Sequence, residues 1–134
     1  MSLFDVVNPR ALGTPRGFVH GLISPAGGRL LFVAGQTATN EDGRIVAEGF
    51  AQQFDHSLAR VLAVVREAGG KPEHIGRMTV YVTSMDRYRD SRAALRDVWL
   101  RHMGSHYPAM ALVEVTALVD REALVEIEAT AVLA

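Results

Sequence analysis

The chain has 134 residues, 49% apolar and 22% charged, enough for one globular domain, 1–134, that buries roughly 70% of the surface exposed by its unfolded form. It contains no cysteine, which excludes disulfides, thiolate nucleophiles and cysteine-built zinc sites. Lys and Arg number 14 against 15 Asp and Glu, a formal charge of −1, so the basic excess that draws a domain to nucleic acid is missing and nucleic acid is not an expected partner.

The opening stretch MSLFDVVNPR has no basic n-region, and no apolar run approaches the roughly 18 residues of a membrane span. A cytoplasmic location without a membrane partner is the expectation. A short strand is expected near 3–7. RGFVHGLI (16–23) and RLLFVAG (29–35) are β-favouring runs around SPAGG, which reads as a hairpin. From 47 to 68 the residues Phe50, Phe54, Leu58, Val61, Leu62 and Val65 recur at helical spacing, and Gly69 with Gly70 supplies a stop. RMTVYVTS (77–84) alternates as a strand. A second helix is expected over 86–103, ending at Gly104, and the runs YPAMALVEVT and LVEIEAT supply the last two strands, expected as a C-terminal β-ribbon.

The predicted fold class is α+β, β-β-α-β-α-β-β, with one mixed sheet and two helices packed on one of its faces. Period-two alternation groups Met110, Leu112 and Glu114 with Glu126 and Glu128, and groups Val113 and Val115 with Val125, Ile127, Ala129 and Ala131. The valine-rich parity is expected to meet the helices. The other parity is then left uncovered although it carries Leu and Met beside its acids. A half-apolar face is costly to leave in water, so it is expected to meet further copies of the same chain, with the acids lining an interior or a cleft between subunits.

FVAGQTATNEDGRIV, the helix ending in REAGG, RMTVYVTSMDRY and HYPAMALVEVTALVDREALVEIEATAV, taken in order, resemble the RidA/YjgF family of enamine/imine deaminases from about residue 18 to 132. The resemblance implies a chorismate-mutase-like fold, a homotrimer with inward-facing sheets, and small-metabolite sites at the subunit interfaces. It also implies no metal and no organic cofactor. Family deaminases hydrolyse 2-imino acids to 2-keto acids and ammonia, and an arginine in a Pro-Ala-Arg motif grips the substrate carboxylate. Here that motif reads Pro108-Ala109-Met110, and a thioether cannot replace a guanidinium.

By the same resemblance Glu126, in EIEA, is the catalytic acid that positions or activates water. Phe18 stands for a family tyrosine and lacks its hydroxyl; Ala93 stands near a family asparagine. Gly35 corresponds to a glycine whose neighbourhood leaves amides open to a ligand. Gln36 beside it, Ala111 and Leu112 beside Met110, and His20 on the strand parity of Phe18 complete the implied substrate-binding set. A pocket that loses polar partners around one retained carboxyl suits acid/base work on a ligand without the usual carboxylate at that spot. The readings left open are a cofactor-free hydrolase of a C=N or enamine bond, a noncatalytic metabolite-binding trimer, and, third, an endoribonuclease. Glu126 also reads as an acid lining a solvated channel, and Met110 and Phe18 as plain packing.

Other constellations fail on geometry. Asp55, His56 and Ser57 are consecutive on a helix and fan apart. His102 and His106 have metal-ligand spacing, but Gly104 intervenes and no third ligand follows. Arg87, Arg89, Arg92, Arg96 and Arg101 share their helix with Asp86, Asp90 and Asp97, which reads as a self-neutralising solvated face with an Asp97–Arg101 pair.

Overall fold

The strongest helical periodicity in the chain becomes its longest helix. In the computed structural model, which describes residues 3–134, Phe50, Phe54, Leu58, Val61, Leu62 and Val65 lie on the buried side of α1 (Phe50–Glu67). Their spacing gathers them into one stripe that faces a sheet. The helix gives way at Gly69, whose φ of 87° is a conformation that a β-carbon disfavours.

Three strands precede α1: β1 (Asp5–Val7), β2 (Gly21–Ile23) and β3 (Arg29–Gln36). After it come β4 (Ile75–Val82), α2 (Met85–Asp90), α3 (Arg92–Met103), β5 (Ala109–Glu114) and β6 (Val125–Leu133). The main sheet has four strands in the order β3-β6-β4-β5. β6 runs antiparallel to both neighbours and β5 runs parallel to β4, so the sheet is mixed. The helices and the sheet share one core, in which Leu58, Val61, Leu62, Val65, Met78, Val80, Val82, Val125 and Ile127 are wholly buried. Among the described residues no helix is long and apolar enough to cross a membrane.

Four details depart from the expectation. β2 does not pair with β3; it forms a separate ribbon with β1. The eight residues of β3 find a longer apolar partner in β6 than the three residues of β2 could offer. The second helix is broken into α2 and α3, where the Ser91 hydroxyl donates to the Arg87 carbonyl at 2.7 Å; such back-bonding competes with the helical ladder. β5 and β6 do not form a ribbon, because β4 lies between them. Finally, the parity expected for β5 is reversed. Met110, Leu112 and Glu114 are in register with Met78, Val80 and Val82, and neighbours in register share a face. Met110 and Leu112 therefore pack against the core under the helices, while Val113 turns outward and is exposed. Pairing with β4 fixes this, and both parities of β5 are apolar enough to accept it.

Candidate functional site

β6 alternates as expected, burying Val125, Ile127, Ala129 and Ala131 and turning Glu126 and Glu128 to the uncovered face, in register with Tyr81 and Thr79. On the other side of β6 the ladder with β3 is interrupted between Val33 and Gln36, and bulges of this kind re-aim side chains. Here the bulge brings Gly35 against the Glu126 carboxyl. A β-carbon at position 35 would lie 2.7 Å from Glu126 Oε2 and 2.8 Å from its Cδ. Glycine is what leaves room for the acid.

The rest of that face is polar with an apolar margin. The Tyr81 hydroxyl donates to Glu128 Oε2 at 2.9 Å, and this bond, with burial and the Glu128 charge adding to it, raises the phenol above its ordinary pKa. Phe32, Arg77, Thr79, Glu128 and Thr130 line a depression of about 290 Å³ beside it. Arg77 reaches the Ala109 carbonyl with Nη1 at 3.2 Å. Phe32 is 74% exposed on the same face.

The predicted residues fall into three places within one protomer. Gly35 and Glu126 meet, as described. Gln36 neighbours them but turns to the helix side, in register with Ile127; its Oε1 accepts from Arg60 Nε at 3.0 Å and its amide donates to the Ala34 carbonyl at 3.1 Å. Met110 and Leu112 lie under the helices on edge strand β5, and Ala111 is on the Glu126 face but beyond β4. Phe18 and His20 sit in the exposed loop before β2, their rings edge to face at 5.2 Å, with the His20 amide bonded to Asn8 Oδ1. Among the described residues no hydrogen bond or ring contact ties either to Glu126. Ala93 is exposed on α3.

Three residues of this neighbourhood escaped the sequence reading. Tyr81 is one. Gln53, only 2% exposed, donates to the carbonyls of Ala47 and Glu122 at 3.0 and 3.1 Å and accepts from the Leu124 amide at 2.8 Å. It thereby fixes the chain just ahead of Glu126. Its signal was legible: a polar side chain between Phe50 and Phe54 in an apolar stripe needs partners. Arg60, the third, reaches from α1 to Gln36 and to the Thr39 carbonyl.

Between α1 and α3, Asp55, Arg101 and His102 are paired with one another. Arg101 grips Asp55 with two parallel bonds of 3.1 and 3.0 Å, in place of the expected pairing with Asp97. His102 Nε2 lies 2.6 Å from the same carboxylate. The Arg101 bond is the main reason the Asp55 carboxyl is held below its usual value, with burial opposing and His102 assisting. His106 Nε2 donates to the Ile75 carbonyl at 2.7 Å. Among the described residues no three His, Asp or Glu side chains are grouped to hold a metal ion.

A mixed sheet with helices packed on one face is the architecture of the chorismate-mutase-like α+β class. Residues 10–133 match the Endoribonuclease L-PSP family. The chain is 31% identical over 105 residues to the 2-iminobutanoate/2-iminopropanoate deaminase of Salmonella typhimurium, covering 78% of this chain and 80% of that one. It is also 31% identical to a RutC family protein of Pyrococcus horikoshii, over 78% and 79% of the two chains. Among solved structures, a Rid family protein of unknown function from Yersinia pestis superimposes with a TM-score of 0.85 at 32% identity, over 98% of this chain and 99% of that one. The YjgF gene product of Escherichia coli gives 0.68 at 29% identity, over 98% of each chain. The chain belongs to the RidA/YjgF family, the Endoribonuclease L-PSP family of the match above.

Proposed function

We propose that this protein is a cytoplasmic, homotrimeric, cofactor-free hydrolase that deaminates an imine or enamine of a small metabolite in a cleft between protomers, and that its substrate differs from the 2-imino acids of family deaminases. The observation that carries the reading is the Glu126 carboxyl lodged against Gly35 at a bulge on the uncovered face. Glu126 orients a water and accepts its proton as the oxygen adds to the imine carbon. The proton passes to nitrogen to give a carbinolamine, whose hydroxyl proton is then moved to the amino group as the C–N bond breaks, releasing ammonia and a carbonyl compound. Relatives named as deaminases of 2-iminobutanoate and 2-iminopropanoate support this chemistry.

Two further features support the assembly and the altered substrate. Gly35 lies on edge strand β3 and Met110 on the opposite edge strand β5, so a cleft holding both draws on two copies of the chain. Leu30 and Phe32 are exposed on β3, apolar area that a neighbouring copy would cover. Met110 offers no charge-assisted fork to a carboxylate.

Ammonia release from freshly generated imines tests the proposal. Replacing Glu126 by Gln is expected to lower turnover by about 10²-fold or more while the melting temperature holds. 2-Iminopropanoate is expected to be a poor substrate. Should wild type and E126Q be equally inactive across a broad imine panel while a small ligand still raises the melting temperature, the protein is a binder and not a hydrolase.

A further inference from the structure

We infer that Arg60 is an anion-binding residue across the β3 edge from that cleft, and that it selects imines whose anionic group is several bonds away from the C=N carbon. The inference rests on the deaminase reading for its chemistry, but not for the anion binding itself. Arg60 is half-buried on α1. Its Nε and Nη1 donate to neutral acceptors only, Gln36 Oε1 at 3.0 Å and the Thr39 carbonyl at 3.1 Å. Among the described residues no carboxylate lies within ion-pair distance of it, and it is the one arginine that is not exposed. Asp55, the nearest acid along α1, is turned to Arg101 and His102. Removing a guanidinium from water without a counter-ion is costly, and an anionic ligand would supply the missing charge.

The group is also held in place. Thr39 O accepts from His56 Nε2 at 3.0 Å as well as from Arg60, so the proton sits on Nε2 of that imidazole, and Gln36 is tied back to Ala34 within the bulge. Both Nη2 hydrogens have no partner among the described residues, which leaves part of a rigid planar donor set for a carboxylate. β3 is an edge strand, so a ligand reaches the bulge from the side.

The substrate class follows from which way the two groups face. Gln36, which accepts from Arg60, is on the helix side of the sheet, and Glu126 is on the other. A ligand touching both must pass around the edge of β3. A 2-imino acid has its carboxylate bonded directly to the imine carbon and cannot straddle a strand, so the inferred substrate is an imine with a remote carboxylate.

The probe is 4-oxopentanoate, a ketone with a remote carboxylate, compared with its uncharged counterpart 2-pentanone and with pyruvate, each titrated while the backbone amides of Gly35 and Gln36 are followed by NMR. The expected result is that 4-oxopentanoate binds at least about tenfold more tightly than either comparator, an advantage of about 1.4 kcal/mol. R60M should abolish that preference and R60K retain part of it, while 2-pentanone is unaffected by either. Equal binding of the charged and uncharged ketones by wild type overturns the inference without any variant, and so does an R60M protein that keeps the preference. E126Q separates the two claims: it should lose imine turnover and keep the Arg60-dependent binding. Turnover that survives alongside charge-blind binding sinks the anchor alone, whereas Arg60-dependent binding without turnover sinks the deaminase alone.

Discussion

The two faces of the β4–β6 pair are built by the same residues' neighbours and do opposite work. Under the helices, Met78, Val80, Val82, Val125 and Ile127 are wholly buried. One residue over, Thr79, Tyr81, Glu126 and Glu128 share the uncovered face, with Phe32 exposed beside them. Alternation alone thus separates the side that holds the protein together from the side that is free to bind. Damage to the first should register in unfolding, and damage to the second in turnover or assembly.

The largest expected effect tests the first half of that contrast. Ile127→Ala removes buried methyl groups from the middle of the core and should cost about 2–5 kcal/mol, read as a lower midpoint in urea with an unchanged slope. A comparable loss from E126Q would break the contrast, because the two residues are neighbours on opposite faces. Phe32→Asp tests the other half. If the proposed trimer forms through this face, a carboxylate in place of the exposed ring should lower the sedimentation mass towards that of one chain and leave far-ultraviolet circular dichroism unchanged. An unchanged mass would remove the uncovered face as the contact between copies.

How far the sequence reached depends on how one-sided each element is. α1, β4 and β6 each have one apolar side and one polar side, so periodicity assigned their faces correctly. β5 has apolar residues on both parities, Met110 and Leu112 on one and Ala109, Ala111 and Val113 on the other, and only its distant register with β4 chooses between them. The pairing of β2 with β1 instead of β3 is likewise a non-local choice. Within the site, Glu126 was legible as an acid on the uncovered face, but its meeting with Gly35 depends on a bulge that no local pattern announces. Gln53 could have been found as a polar interruption in an apolar stripe. Arg60 could not, because an arginine on a helix flank looks the same whether it faces water or a strand edge.

Gly35→Ala separates the presence of the acid from its position. The added methyl would overlap Glu126 Oε2, 2.7 Å away, and that atom is the free end of a flexible side chain. The carboxyl can swing aside at little cost in stability, so the melting temperature should barely move. Misplacing a reacting group by about 1 Å can cost up to about 10²-fold, so kcat/KM for imine hydrolysis should fall while Glu126 itself is intact. Full activity in G35A would mean that the bulge does not set the position of the acid.

The smallest expected effect lies off both faces, at the α1–α3 seam, and serves as their control. Arg101 lowers the Asp55 carboxyl below its ordinary value of 3.8, so between the folded and unfolded pKa values the unfolded chain binds more protons. Stability from this pair is therefore present above about pH 4 and is lost as the pH falls through the folded value. Both partners keep access to water, with side chains 57% and 33% exposed, and screening keeps the contribution of the pair small at neutral pH. Asp55→Asn should flatten the acid limb of the stability curve and change neither turnover nor assembly. High salt should shrink the difference between the two proteins. A loss of activity in D55N at neutral pH would show that the outer surface is coupled to the cleft, and the division of labour between the two faces of the sheet would no longer account for function.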